Sequence, residues 1–133
     1  MEKSIHIKLK AYLSALPDIV AAFLFGSFAR GTESDSSDID IAILSRERRL
    51  PIEQKLLILD DLEQICGRRV DLVYLTEVSS ILKHQVLKYG EQLICNDRSQ
   101  LNQFKVSAIQ EYLDLKRTRL PIENHLKDVS IYG

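Results

Sequence analysis

Residues 20–44 read Val20-Ala-Ala-Phe-Leu-Phe-Gly26-Ser27-Phe-Ala-Arg30-Gly31-Thr-Glu-Ser-Asp-Ser-Ser-Asp38-Ile-Asp40-Ile-Ala-Ile-Leu44. A continuous apolar run over 18–25 ends at Gly26, which predicts a buried strand. A polar loop follows through Ser37. Residues 38–44 then alternate polar and apolar, the period of a second strand. The connection between the two is short, so an antiparallel pair is expected and with it a mixed sheet.

Outward from this stretch, helices and strands interleave. Ile5, Leu9, Tyr12, Leu13 and Leu16 fall at helical spacing ahead of Pro17, predicting a helix over about 3–16. Pro51 opens a second helix through Leu56, Leu59, Leu62 and Ile65, with Gly67 as its cap. Residues 70–75 form a third strand. Thr76 is placed to cap a helix carrying Val78, Ile81, Leu82, Val86 and Tyr89, with Gly90 just beyond. Residues 93–95 make a short fourth strand. Asp97 with Gln100 is a capping-box-like start to a long last helix, and Pro121 is expected to break it. The class is α/β, or α+β if the sheet is largely antiparallel: about four strands flanked by helices.

With 133 residues, one domain is expected over 1–133, without room for a second substrate-binding domain. Eighteen basic and nineteen acidic residues give a net charge of −1, so direct nucleic-acid binding is not expected. Met1-Glu2-Lys3-Ser4 leads into an amphipathic segment rather than a signal core, and no apolar run is long enough to span a membrane. Cys66 and Cys95 lack CxxC partners, which points to free thiols and a cytoplasmic setting rather than to a disulfide or zinc site.

Three acidic residues interrupt strands that should be apolar: Asp38, Asp40 and Asp71. Positions i and i+2 of a strand share a face, so Asp38 and Asp40 present two carboxylates side by side, with Ile39, Ile41 and Ile43 turned into the core. Like charges so close disfavour each other's ionisation, and a hard divalent cation such as Mg²⁺ or Mn²⁺ relieves this. Asp71 would close the cluster if its strand is a neighbour. Gly26 and Ser27 sit where a strand turns into a helix start, a place that lets backbone N–H groups meet phosphate. It is not a Walker loop, because no Gly-Lys-Ser/Thr follows.

Gly26-Ser27, ten residues, Asp38-x-Asp40, then a strand bearing Asp71: together these resemble the signature of the DNA polymerase β-like nucleotidyltransferases. The longer string from Gly26 through Ala42 is similar to the minimal, MNT-type branch in particular. The resemblance is carried by residues of about 20–75. Chains of this kind resemble the antitoxin half of MNT–HEPN, type VII-like, toxin–antitoxin pairs, as does the stretch from Leu113 to Glu123, less specifically. The resemblance implies a nucleotidyltransferase palm that transfers AMP from ATP to a tyrosine of a HEPN ribonuclease and releases pyrophosphate. It implies two Mg²⁺ ions held by Asp38, Asp40 and Asp71, with Asp71 also taking the nucleophile's proton. Gly26 and Ser27 would hold the β- and γ-phosphates, and Arg30 would reach the triphosphate or the acceptor. The C-terminal helix and tail, about 97–133, would bind the partner.

Two other readings compete. The acceptor could be a small molecule such as an aminoglycoside, although relatives of that kind generally carry an added helical domain. Alternatively the chain could neutralise its partner by occlusion, without turnover. Tyr74, Tyr89 and Tyr112 read as core residues, and Lys116-Arg117-Thr118-Arg119 as a solvated helix end. His6 and His84 have no partner at ligand spacing, and His125 falls in the tail expected after Pro121.

Overall fold

The first strand, β1 (Ile19–Phe25), is apolar throughout because it is covered on both faces and both edges. A computed structural model describes residues 2–26 and 38–126, with side chains as far as Thr118. The chain runs α1 (Lys3–Ser14), β1, β2 (Ile39–Ser45), α2 (Ile52–Cys66), β3 (Val70–Tyr74), α3 (Ser80–Tyr89), β4 (Glu91–Cys95) and α4 (Arg98–Leu126). The sheet order is β3-β2-β1-β4. β1 pairs antiparallel with β2 and with β4, while β2 and β3 run parallel through the α2 crossover. The expected mixed four-stranded sheet flanked by helices is therefore the fold.

Two cores lie on opposite faces of the sheet. Leu9 and Leu13 of α1 and Ile58, Leu62 and Cys66 of α2 close over Ile39, Ile41, Ile43, Val70, Leu72 and Tyr74. On the other face, Val86 of α3 and Leu101 of α4 cover Val20, Phe23, Ala42 and Leu44. Since side chains alternate along a strand, Asp40 shares the second face with Ala42 and Leu44, and Asp71 shares it with Val73. The isoleucines of β2 turn the other way, as the alternation requires.

Several details differ from expectation. In α2 the buried stripe is Ile58, Leu62 and Cys66, and Leu56 is exposed; the helix is rotated so that the first turn lies outside the core. Gly67 does cap it, with φ +68° and its N–H donating to the Glu63 carbonyl at 2.8 Å. Helix α3 is capped by Ser79, whose Oγ accepts from the Leu82 N–H at 3.2 Å, and not by Thr76. A turn in which the Glu77 N–H bonds the Tyr74 carbonyl holds Thr76 ahead of the helix. Asp97 caps α4 as its spacing suggests, its Oδ1 accepting from the Gln100 N–H at 3.0 Å.

Helix α4 does not stop at Pro121 but continues to Leu126. Proline deletes one backbone donor and crowds the carbonyl four residues earlier, a cost of about 3 kcal/mol that kinks a helix without always ending it. His125 and the 116–119 basic run thus lie within the helix rather than in a tail or at a helix end. Tyr74 and Tyr112 are buried as expected, whereas Tyr89 is 60% exposed. Cys66 and Cys95 are free thiols. Among the described residues no helix is long and apolar enough to cross a membrane.

Candidate active site

The site is assembled where three strands present their ends on the α3/α4 face. β2 and β3 start together: the Ile39 N–H donates to the Arg69 carbonyl at 3.0 Å, and the Val70 N–H donates to Glu63 Oε2 at 3.0 Å. These bonds set a register in which Asp40 stands directly opposite Asp71. Neighbouring strands are about 4.8 Å apart, so the two carboxylates leave the same face side by side. Asp40 is half-buried and Asp71 exposed. Asp38 is exposed and stands one residue before the strand, so it is not part of the ladder that was expected to carry it.

On the other side of Asp40, β1 brings in Gly26. Phe25 is the register partner of Asp40, and Gly26 follows it with φ +75°. A Cβ at position 26 would lie 2.2 Å from Asp40 Oδ2. Only glycine accepts both that backbone conformation and that approach, so the turn and the carboxylate are fitted to each other. Across the sheet the order is Asp71, Asp40, Gly26. Ser27 and Arg30 lie outside the described residues.

All the donors of the triad are carboxylate oxygens, the ligand type that suits Mg²⁺ or Mn²⁺ rather than softer metals. Like charges directly opposite on a sheet destabilise it, and a divalent cation offsets that cost. The residues therefore fit such an ion. Among the described residues no three His, Cys, Asp or Glu side chains stand close enough to hold one in this structure. The register brings Asp40 and Asp71 abreast, and does not bring Asp38, which precedes the strand, into a cluster with them.

Beyond Gly26 lies a cavity of about 520 Å³ that the sequence did not disclose. Phe25, Gly26, Leu82, Gln85, Val86, Tyr89 and Gly90 line it. The signal was present as the 82, 85, 86, 89 spacing on α3, but it reads equally as a core stripe. Leu82 and Val86 do pack on the second core, and Tyr89 instead leaves it.

Comparison with known proteins agrees with this arrangement. Residues 7–99 match the family model described as polymerase beta, nucleotidyltransferase. The chain is 33% identical over 119 residues to the protein adenylyltransferase MntA of Shewanella oneidensis, covering 86% of this chain and 81% of that protein. A chain of a crystallised toxin–antitoxin with AMP-PNP superposes with a TM-score of 0.70 at 31% identity, over 96% of this chain and 99% of that one. A chain from the complex of the tri-AMPylated Shewanella oneidensis HEPN toxin with its MNT antitoxin gives a TM-score of 0.69 at 28% identity, over 96% and 99%. The family match spans the sheet together with Gly26, Asp38, Asp40 and Asp71, and the chain belongs to the polymerase beta nucleotidyltransferase family.

Proposed function

We propose that the chain is the antitoxin of a toxin–antitoxin pair and acts as a protein adenylyltransferase on a HEPN ribonuclease partner. The observation that carries this reading is the pairing of Asp40 with Asp71, with Gly26 fitted against Asp40. The likeness to MntA and to the solved toxin–antitoxin chains supplies the acceptor class. ATP is the substrate, and a tyrosine of the partner is the acceptor.

In the reaction the tyrosine oxygen forms a bond to the α-phosphorus, the bond from that phosphorus to the bridging oxygen breaks, and pyrophosphate leaves. A phenol with an ordinary pKa near 10 is protonated at neutral pH, so a base is needed, and Asp71 takes the proton. Gly26 and Ser27 present backbone N–H and hydroxyl donors to the β- and γ-phosphates, and Arg30 adds positive charge there. Asp38, Asp40 and Asp71 would hold divalent Mg²⁺, two ions in our reading. Such ions neutralise charge that develops on the attacking and leaving oxygens. The chain forms one domain in this reading, and α4, whose Val106, Ile109 and Leu113 are exposed, serves to dock the partner.

The test is transfer of label from α-labelled ATP to the protein encoded beside this one, with Mg²⁺ present. Label should attach to the partner as AMP, and Asp40→Asn together with Asp71→Asn should lower the rate at least a hundredfold. Labelling that survives the double substitution would sink the site assignment. Full neutralisation of the partner by the double variant would favour occlusion over catalysis.

A further inference from the structure

The cavity beyond Gly26 has no role in the chemistry described so far. Its walls come from one face of α3 (Leu82, Gln85, Val86 and Tyr89), from Phe25, and from Gly26 and Gly90. A Cβ on Gly26 would strike Asp40, and one on Gly90 would lie 2.5 Å from the Val86 carbonyl oxygen and 3.2 Å from that of Leu24. Its volume falls within the roughly 300–1,000 Å³ of small-molecule pockets, and its composition follows their rule of apolar walls with few polar groups. Besides the Tyr89 hydroxyl, Gln85 supplies the polar side chain among its described lining residues, and its amide has no hydrogen-bond partner among them. Tyr89 is a large aromatic residue left 60% exposed at the rim, with Lys88 Nζ 5.2 Å from its ring centre.

We propose that this cavity seats the nucleobase of the bound nucleotide, with Tyr89 as its stacking surface and Gln85 as the residue that selects adenine. The assignment rests on the reading of the chain as a nucleotidyltransferase, and it follows from the order of groups across the sheet. Asp71, which takes the acceptor's proton, lies on β3 at one edge, Asp40 comes next on β2, and Gly26 follows on β1. The cavity continues the same line past Gly26 toward β4. An acceptor entering on the Asp71 side leaves the opposite side for the nucleoside, whose phosphates the proposed function assigns to the Gly26 turn.

The chemistry of the two rim residues separates their roles. A tyrosine ring stacks on any base, so it contributes affinity without choice among bases. A glutamine amide accepts from adenine N6 and donates to N7 at once, whereas guanine presents two acceptors on that edge and matches only the donor half. One such pairing discriminates between bases by about ten- to a hundredfold. Leu82 and Val86 sit deeper and exclude water from the base.

The test is calorimetric titration of the full-length protein with ATP, GTP and inorganic tripolyphosphate, each with Mg²⁺ and without any partner. The wild-type chain should bind ATP at least tenfold more tightly than GTP. Gln85→Leu should bring the two within about threefold, chiefly by weakening ATP. Tyr89→Ala should weaken both nucleotides by about tenfold and leave tripolyphosphate unchanged. Both residues are exposed, and matched melting temperatures check that the variants fold. An unchanged ATP-to-GTP ratio in Gln85→Leu, or tripolyphosphate binding that falls with ATP in Tyr89→Ala, overturns the assignment. So does a Tyr89→Ala variant that binds ATP normally but has a raised KM for the partner, since the cavity would then belong to the acceptor. Absence of ATP binding by the wild-type chain overturns the enzymatic reading and this one together. Adenine-selective binding without transfer to the partner overturns only the proposed function.

Discussion

Gly26 is the position at which one atom decides the site. Its φ of +75° already penalises any side chain, and an added Cβ would also drive Asp40 from its place. Gly26→Ala should cost about 1–2 kcal/mol from the left-handed backbone alone. It should also abolish AMP transfer while the protein remains folded, as circular dichroism and the labelling assay would together show. Cys66 shows a different effect of environment. Burial pushes its thiol up to about 11. A group whose folded pKa is raised adds stability that is intact below its unfolded value and is lost as pH rises toward the folded one. Denaturant midpoints should therefore fall between about pH 9 and 11 in the native chain and less in Cys66→Ala, compared at equal starting stability. The carboxyl of Asp97 moves the other way. Its bond from the Gln100 N–H, and then its Arg46 partner, hold it below the usual range, so what it adds is present at neutral pH and is lost in acid.

At the level of elements, α4 carries two apolar faces. Leu101, Ala108 and Tyr112 are buried, whereas Val106, Ile109 and Leu113 are exposed on the flank beside them. The helix has 29 residues and so extends about 43 Å. Val106→Glu with Ile109→Glu should leave the melting temperature within a few degrees and reduce co-purification of the partner at least tenfold. The strands were largely legible in the sequence, because β1 is buried on both faces and β2 alternates with aspartates at the same parity. Asp71 was legible for the same reason, as a charge inside an apolar run; its placement opposite Asp40 depends on β2 and β3 being parallel neighbours, which no local pattern encodes. The helical stripes were less legible. A 3.6-residue period identifies a helix but leaves its rotation uncertain by a residue, so Leu56 and Tyr89 read as core residues although Ile58 is the one buried and Tyr89 lines the cavity. Pro121 misled because a lost hydrogen bond can be absorbed within a long helix.

Across the whole molecule, one sheet separates a structural face from a working face. α1 and α2 close the first, and α3 and α4 close the second except where the acidic pair and the cavity open. Removal of divalent cations with EDTA should stop transfer to the partner, and Mg²⁺ or Mn²⁺ should restore it in the wild-type chain but not in Asp40→Asn. The position of β1 in the sheet has a further consequence, one of timescale. β1 is interior, bonded on both sides, and β3 is an edge strand. Interior amides exchange with solvent only when the whole protein opens, while edge strands also open by smaller fluctuations. Gly26 is thus fixed to the slowest-opening segment and Asp71 to one that opens sooner. A ligand bridging them disfavours both the smaller openings of β3 and the opening of the whole protein, so its arrival should be recorded as slowed deuterium uptake in residues 70–74 at early times and in 19–25 at late ones.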